Sequence, residues 1–377
     1  MFAPLDESIG GGAYGDDNVD DEFYWAASEL YLATGNKEYY KDLTDSKYAF
    51  SVETELNGGE DNGTVGSFDW GNVATLGTMS LATVQEGITD KEIKEITKNF
   101  EDASEYYIDI EGEQGYGIPI KASEVTTKDG SKIEGYPWGS NSFVVNTAIV
   151  MAYAYDLTEN DKYLDGAKTA LDYIMGRNPL DNCYVTGYGT HSSENPHHRW
   201  WSNQVDNQFP SAPDGVLVGG PNSGLQDPWV KGLGWNPGEN APQLCYVDHI
   251  EAWCTNECTI NWNAPLAWMT GFFTDEPIRE VGALKYDDGS DDEEDDEKKE
   301  KPVTEKKKTN NDDDKDTEEV SKDKDDDSDL SFAEKAKAKI KDICAYIGAG
   351  VVGLLVLIGL VNGLVTIVKG IFKKKKK

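Results

Sequence analysis

Residues 287–329 contain the runs DDGSDDEEDDEKKEKP and NNDDDKDTEEVSKDKDDDSD and almost nothing apolar. Apolar burial is what offsets the entropy lost when a chain is ordered, and this stretch has too little to bury. It is expected to be a disordered, self-repelling, extended linker. That expectation divides the 377 residues. Any globular fold must close before the linker. Residues 1–285 are therefore read as one domain, 286–330 as the acidic linker and 331–377 as a separate tail.

The tail contains ICAYIGAGVVGLLVLIGLVNGLVTIV, about residues 343–368, with no charge and one Asn. Such a run is long enough to cross a bilayer as a single transmembrane helix. The KGIFKKKKK that follows favours the cytoplasmic side, although KAKAKIK on the other flank pulls the opposite way. The domain is then expected on the extracellular face of the cell membrane, anchored by its C-terminus. The opening MFAPLDESIGGGAYGDD has neither the basic region nor the apolar region of a signal peptide. An exported chain needs one, so the expectation is that the first part of a longer gene product is missing here.

A net charge of −35 argues against nucleic acid as a partner, because phosphate binding needs a basic surface. The five cysteines, Cys183, Cys245, Cys254, Cys258 and Cys344, form no recognisable disulfide framework. Cys245, His249, Cys254 and Cys258 are zinc-ligand types, but they lack a Cys-x-x-Cys knuckle and read better as small core residues.

Within 1–285 the pattern is mainly helical. Residues 20–35 place Phe23, Ala26, Ala27, Leu30 and Tyr31 on one stripe, closed by Gly35. Further helices are predicted over 72–84, 91–107, 141–158 and 162–179, with a last long one over about 248–273. A hairpin is predicted around Asp129-Gly130. Long loops rich in Gly, Asn, Pro and Trp join these elements, and loops of that size on a helical scaffold usually carry function.

Those loops have the chemistry of a carbohydrate site. Flat rings pack on the apolar faces of sugars, amides and carboxylates bind hydroxyls, and a carboxyl pair performs hydrolysis. YPWGSNS, HHRWWSN, GGPNSGLQDPW and TNECTINWNA combine these groups, and the chain holds 10 Trp. A Trp-rich core accounts for Trp25 more readily than for tryptophans set beside Gly, Pro or Asn.

GRNPLDNCYVTGYGTHSSENPHHR is similar to the first signature of the family 9 glycoside hydrolases, the inverting cellulases. YVDHIEAWCTNECTINWNA is similar to their second, with Tyr246, Asp248, Trp253, Glu257, Asn263 and Ala264 in the pattern positions. DDEFYWAASELYLATG, YPWGSN and GVLVGGPNSG resemble further segments of that family, in the same order. The likeness is greatest to the branch with an immunoglobulin-like domain ahead of the barrel.

The resemblance implies an incomplete (α/α)6 barrel acting on cellulose or another β-1,4-glucan. By position it implies Glu257 as general acid and Asp248 as a supporting carboxylate. If 248–257 were helical, Asp248 would lie too far from Glu257 for an inverting pair, at 1.5 Å per residue against about 6.5–9.5 Å. His197 and Arg199 match the family's sugar-gripping pair, and His198 has no assigned role. Trp138 and Trp262 match sugar platforms, with Trp70 a further candidate. Asp21 and Glu22, with Asp17 one turn earlier, match carboxylates of a structural calcium site, and an acidic helix N-terminus explains them nearly as well. No catalytic cofactor is implied. The family's base is an aspartate in an Asp-Ala-Gly-Asp motif, and these residues contain no such motif. The chain is therefore expected to be inactive alone, or else to be a non-catalytic, membrane-tethered glucan-binding protein.

Overall fold

The computed structural model describes residues 18–275, apart from 58–60, 62 and 128. Asp17, the acidic linker and the candidate span at 343–368 lie outside the described residues. Among the described residues, no helix is long and apolar enough to cross a membrane.

The fold is mainly helical: α1 (Asp20–Thr34), α2 (Lys37–Asp45), α3 (Ala74–Val84), α4 (Asp90–Glu113), α5 (Ser140–Thr158), α6 (Asp161–Ile174), α7 (Pro228–Gly232), α8 (Trp253–Asn256) and α9 (Ile260–Asp275). Strands β1 (Ser123–Thr126) and β2 (Lys132–Gly135) form an antiparallel hairpin in which Thr126 pairs Lys132. The predicted turn is present. Gly130 takes φ 84° and the Asp129 carboxylate accepts from Thr127 and Ser131, which lowers its pKa to about 2.

Helix α5 is central because its sequence is apolar or small on every side, and a helix of that kind must be buried all round. Residues from Ser140 to Tyr155 are almost all inaccessible, packed against α4, α6 and α9. By contrast α4 and α6 are amphipathic. A capping box of Thr89 and Glu92 starts α4, and Asn160 caps α6. Gly166 lets α6 approach α5 closely: a Cβ there would stand 2.6 Å from Met151 Sδ.

Two expectations need correction. In α1 the buried face is Asp21, Tyr24, Ala27, Ser28 and Tyr31, while Phe23 and Leu30 are exposed. Polar bonds set this rotation. The Tyr24 hydroxyl accepts from Phe50 N and bonds Thr78 Oγ1, both at 2.9 Å, and Asp21 Oδ2 accepts from Val73 N at 2.8 Å. Burying Asp21 and Tyr24 with partners outweighs burying Phe23. The long helix expected over 248–273 is instead a turn, the short α8, a break at Glu257 and then α9. The break is tertiary in origin, as the geometry of Glu257 shows below.

Near the C-terminal end of α4, one oxygen of Glu111 is buried without a hydrogen-bond partner. Burial raises its pKa from 4.5 to about 9, and the Arg177 guanidinium only partly opposes this. The folded state then binds a proton that the unfolded state has released, so stability falls as pH rises from about 4.5 to about 9. Glu111→Gln should flatten the melting temperature over that range and raise it most at the alkaline end. An unchanged pH slope in thermal denaturation would contradict this.

Candidate active site

Glu257 caps α8 with φ −54° and ψ 145°, an extended backbone clamped on both sides. His197 N donates to Asn256 O at 2.7 Å, and residues 197 and 257 form a parallel bridge. On the other side Gly219 N donates to Glu257 O and Gly220 N to Thr255 O, both at 2.9 Å. The 216–220 segment is itself fixed. Asn141 Nδ2 donates to Val218 O at 2.9 Å and Leu217 N donates to Asn263 Oδ1 at 2.8 Å. Buried Asn256 completes the clamp, its Oδ1 accepting from the Tyr246 hydroxyl at 2.7 Å.

The Glu257 side chain meets Trp138, whose Nε1–H donates to Oε2 at 3.0 Å. Burial raises the carboxyl pKa, and the Trp138 bond and nearby His197 only partly offset that. Such a group keeps its proton to higher pH than an ordinary glutamate and is suited to donate it. Burial, then the adjacent Glu257, also pushes the Cys258 thiol up to about 11.

His197 Nδ1 donates to Ile250 O at 2.5 Å, since a carbonyl oxygen can only accept. Its ring lies 5.9 Å from that of Trp253. Asp248 is not part of a helix leading to Glu257. Its oxygens accept from Glu194 N (2.9 Å), Asn195 N (3.0 Å) and Asn195 Nδ2 (3.0 Å), which makes it the anchor of the strand that carries His197. Arg199 is exposed. His198 turns the chain: its Nδ1 accepts from Trp200 N and Trp201 N, and its ring stacks on Trp201 at 3.9 Å.

Trp262 is only 8% exposed. It fills the space beside Gly139 and Gly219, and a Cβ at Gly139 (φ 76°) would stand 2.5 Å from its ring. Trp138, Trp262, Trp70 and Glu257 line one cavity of about 970 Å³. Its wall also includes Asp69 and, without a site signal in the sequence, Trp25, Tyr153, Trp268, Glu29 and Asp61. Trp25 was read as core. Tyr153 and Trp268 gave no signal because their helical spacing is that of ordinary core residues.

Among the described residues, no group of three or more His, Cys, Asp or Glu is placed to hold a metal ion. Asp21 Oδ1 accepts from Asn18 Nδ2 at 3.1 Å and Oδ2 from Val73 N at 2.8 Å. Cys183, Cys245, Cys254 and Cys258 are free thiols, and Cys245 and Cys254 pack in an apolar cluster.

A sequence model of the family described as Glycosyl hydrolase family 9 matches residues 2–270. A cellulose 1,4-beta-cellobiosidase of Acetivibrio thermocellus is 45% identical over 279 residues, covering 73% of this chain and 30% of its own length. Endoglucanase C of Cellulomonas fimi is 39% identical over 279 residues, again 73% of this chain and 23% of its own length. Among solved structures, a single-mutant thermostable endoglucanase from Alicyclobacillus acidocaldarius matches with a TM-score of 0.57 at 26% identity, over 73% of this chain and 46% of that one. The chain thus spans less than a third of these two curated relatives. The paired helices are consistent with part of an (α/α)6 barrel.

Asp248→Ala leaves three donors on residues 194 and 195 without their acceptor. A loss of about 1–3 kcal/mol is expected, with faster amide exchange at Glu194 and Asn195. Unchanged exchange at those two amides would show that Asp248 does not anchor the strand.

Proposed function

The chain belongs to glycosyl hydrolase family 9, and on that premise we propose that it is the acid-bearing, C-terminal part of a cellulase that cleaves β-1,4-glucan with inversion. The observation that carries the proposal is Glu257, a half-buried carboxyl with a raised pKa, bonded by Trp138 beside His197 at a large aromatic-lined cavity.

In this reading the Glu257 proton passes to the glycosidic oxygen as the bond from that oxygen to the anomeric carbon breaks. Water adds to that carbon from the opposite face and gives its proton to a second carboxylate. The proposed second carboxylate is an aspartate of the Asp-Ala-Gly-Asp type, a segment these 377 residues do not contain. His197 and Arg199 hold sugar hydroxyls, Trp138 and Trp70 face the sugar rings, and Asp248 positions the His197 strand. Absence of the motif favours a second reading, a membrane-tethered glucan-binding protein without turnover.

Assay of this chain and its Glu257→Gln variant on soluble β-1,4-glucan separates the readings. Loss of general acid catalysis is expected to cut any turnover at least about 100-fold while cello-oligosaccharide binding persists. Equal turnover by the variant would remove Glu257 from the role. Clear turnover by the parent chain would mean that a residue within these 377 supplies the base and would discard the binding protein.

The proposal also places the domain on the outer face of the cell membrane, held by residues 343–368, with a structural calcium at Asp17, Asp21 and Glu22 that takes no part in the reaction. Liposome flotation should succeed and should fail once 343–368 is deleted. A melting temperature unmoved by EDTA would discard the calcium.

A further inference from the structure

A small core separate from the helical one consists of Leu225, Val230, Cys245, Ala252 and Cys254. Trp138, the donor to Glu257, and Trp253, beside His197, both pack against it. An exposed indole without an assigned role adjoins this core through its chain neighbour Val230. Trp229, next to the buried Val230 on α7, stacks on His249 with ring centroids 3.5 Å apart and planes at 8°. It is nonetheless 39% exposed. The imidazole covers one face of the indole.

The stack is rigidly joined to the site. Buried Asp227 accepts from Val230 N at 2.7 Å through Oδ1 and from Cys254 N at 3.1 Å through Oδ2. This ties α7 to α8, the helix that ends at Glu257. On the other ring, His249 Nδ1 accepts from Glu251 N at 3.1 Å. Its neighbour Ile250 supplies the carbonyl that orients His197. An exposed indole stacked on an imidazole that is itself hydrogen-bonded has already lost part of the rotamer freedom that binding would cost. A flat, pre-ordered, amphipathic ring of this kind suits the C–H face of a pyranose.

We propose that Trp229, backed by His249, is an outer subsite that stacks a glucosyl residue of the same glucan strand that reaches Glu257. The proposal rests on the glucan-hydrolase reading and extends it, by making the groove longer than the residues around the carboxyl.

The test titrates the full chain with cellobiose and with cellohexaose, followed by calorimetry and by the indole Nε1–H resonances. In Trp229→Ala the affinity for cellohexaose should fall about tenfold, the loss expected for one aromatic stacking contact, with no comparable loss for cellobiose. Trp229→Tyr, which keeps a flat ring, should recover most of the affinity. If Trp229→Ala binds both sugars like the parent chain, the subsite is wrong and the glucan reading stands. If both affinities fall together and Tyr does not restore them, Trp229 is structural and the subsite is again wrong. If the parent chain binds neither sugar, the glucan reading fails and takes the subsite with it.

Discussion

Glu257 sits in extended backbone between two other segments, with the His197 strand bonded on one side and Gly219 and Gly220 on the other. That short clamp joins what is far apart in the chain: the loop after α6, the extended 216–220 segment, and the junction of α8 with α9. Because backbone amides and carbonyls must be satisfied when buried, these segments have little freedom to shift separately. The carboxyl therefore leaves the clamp at a fixed place, under Trp138 and over the cavity.

The electrostatics follow from that placement. Burial favours the neutral acid, and Trp138 supplies a donor that steadies one oxygen without reversing the shift. Nearby carboxylates are treated differently. Asp248 is surrounded by donors and serves as an anchor, and Asp227 is spent on two backbone amides.

Much of this was legible in the sequence. The apolar length of α5, the Gly35 cap of α1 and the turn at Asp129-Gly130 each state their structure locally. The signature segments named Glu257, His197 and Trp138 by position. What was not legible depends on contacts across long sequence separations. The α1 face turned the other way because Tyr24 and Asp21 find partners on Phe50, Thr78 and Val73. The expected helix from 248 broke because 257 pairs with 197 and 219, which no helical periodicity reveals. How deeply Trp262 sits beside Gly139 and Gly219 at the cavity wall had no local signal either. The Trp229–His249 stack joins residues twenty apart with no spacing signal at all.

The central claim is that Glu257 holds its proton where an ordinary glutamate has lost it. A carbon-13 NMR titration of the Glu257 carboxyl in the intact chain, assigned with Glu257→Gln, tests this directly. The account predicts a midpoint above the usual 4.5 of a glutamate. A midpoint at or below that value would contradict it, because a carboxylate already ionised near neutral pH has no proton to give to the leaving oxygen.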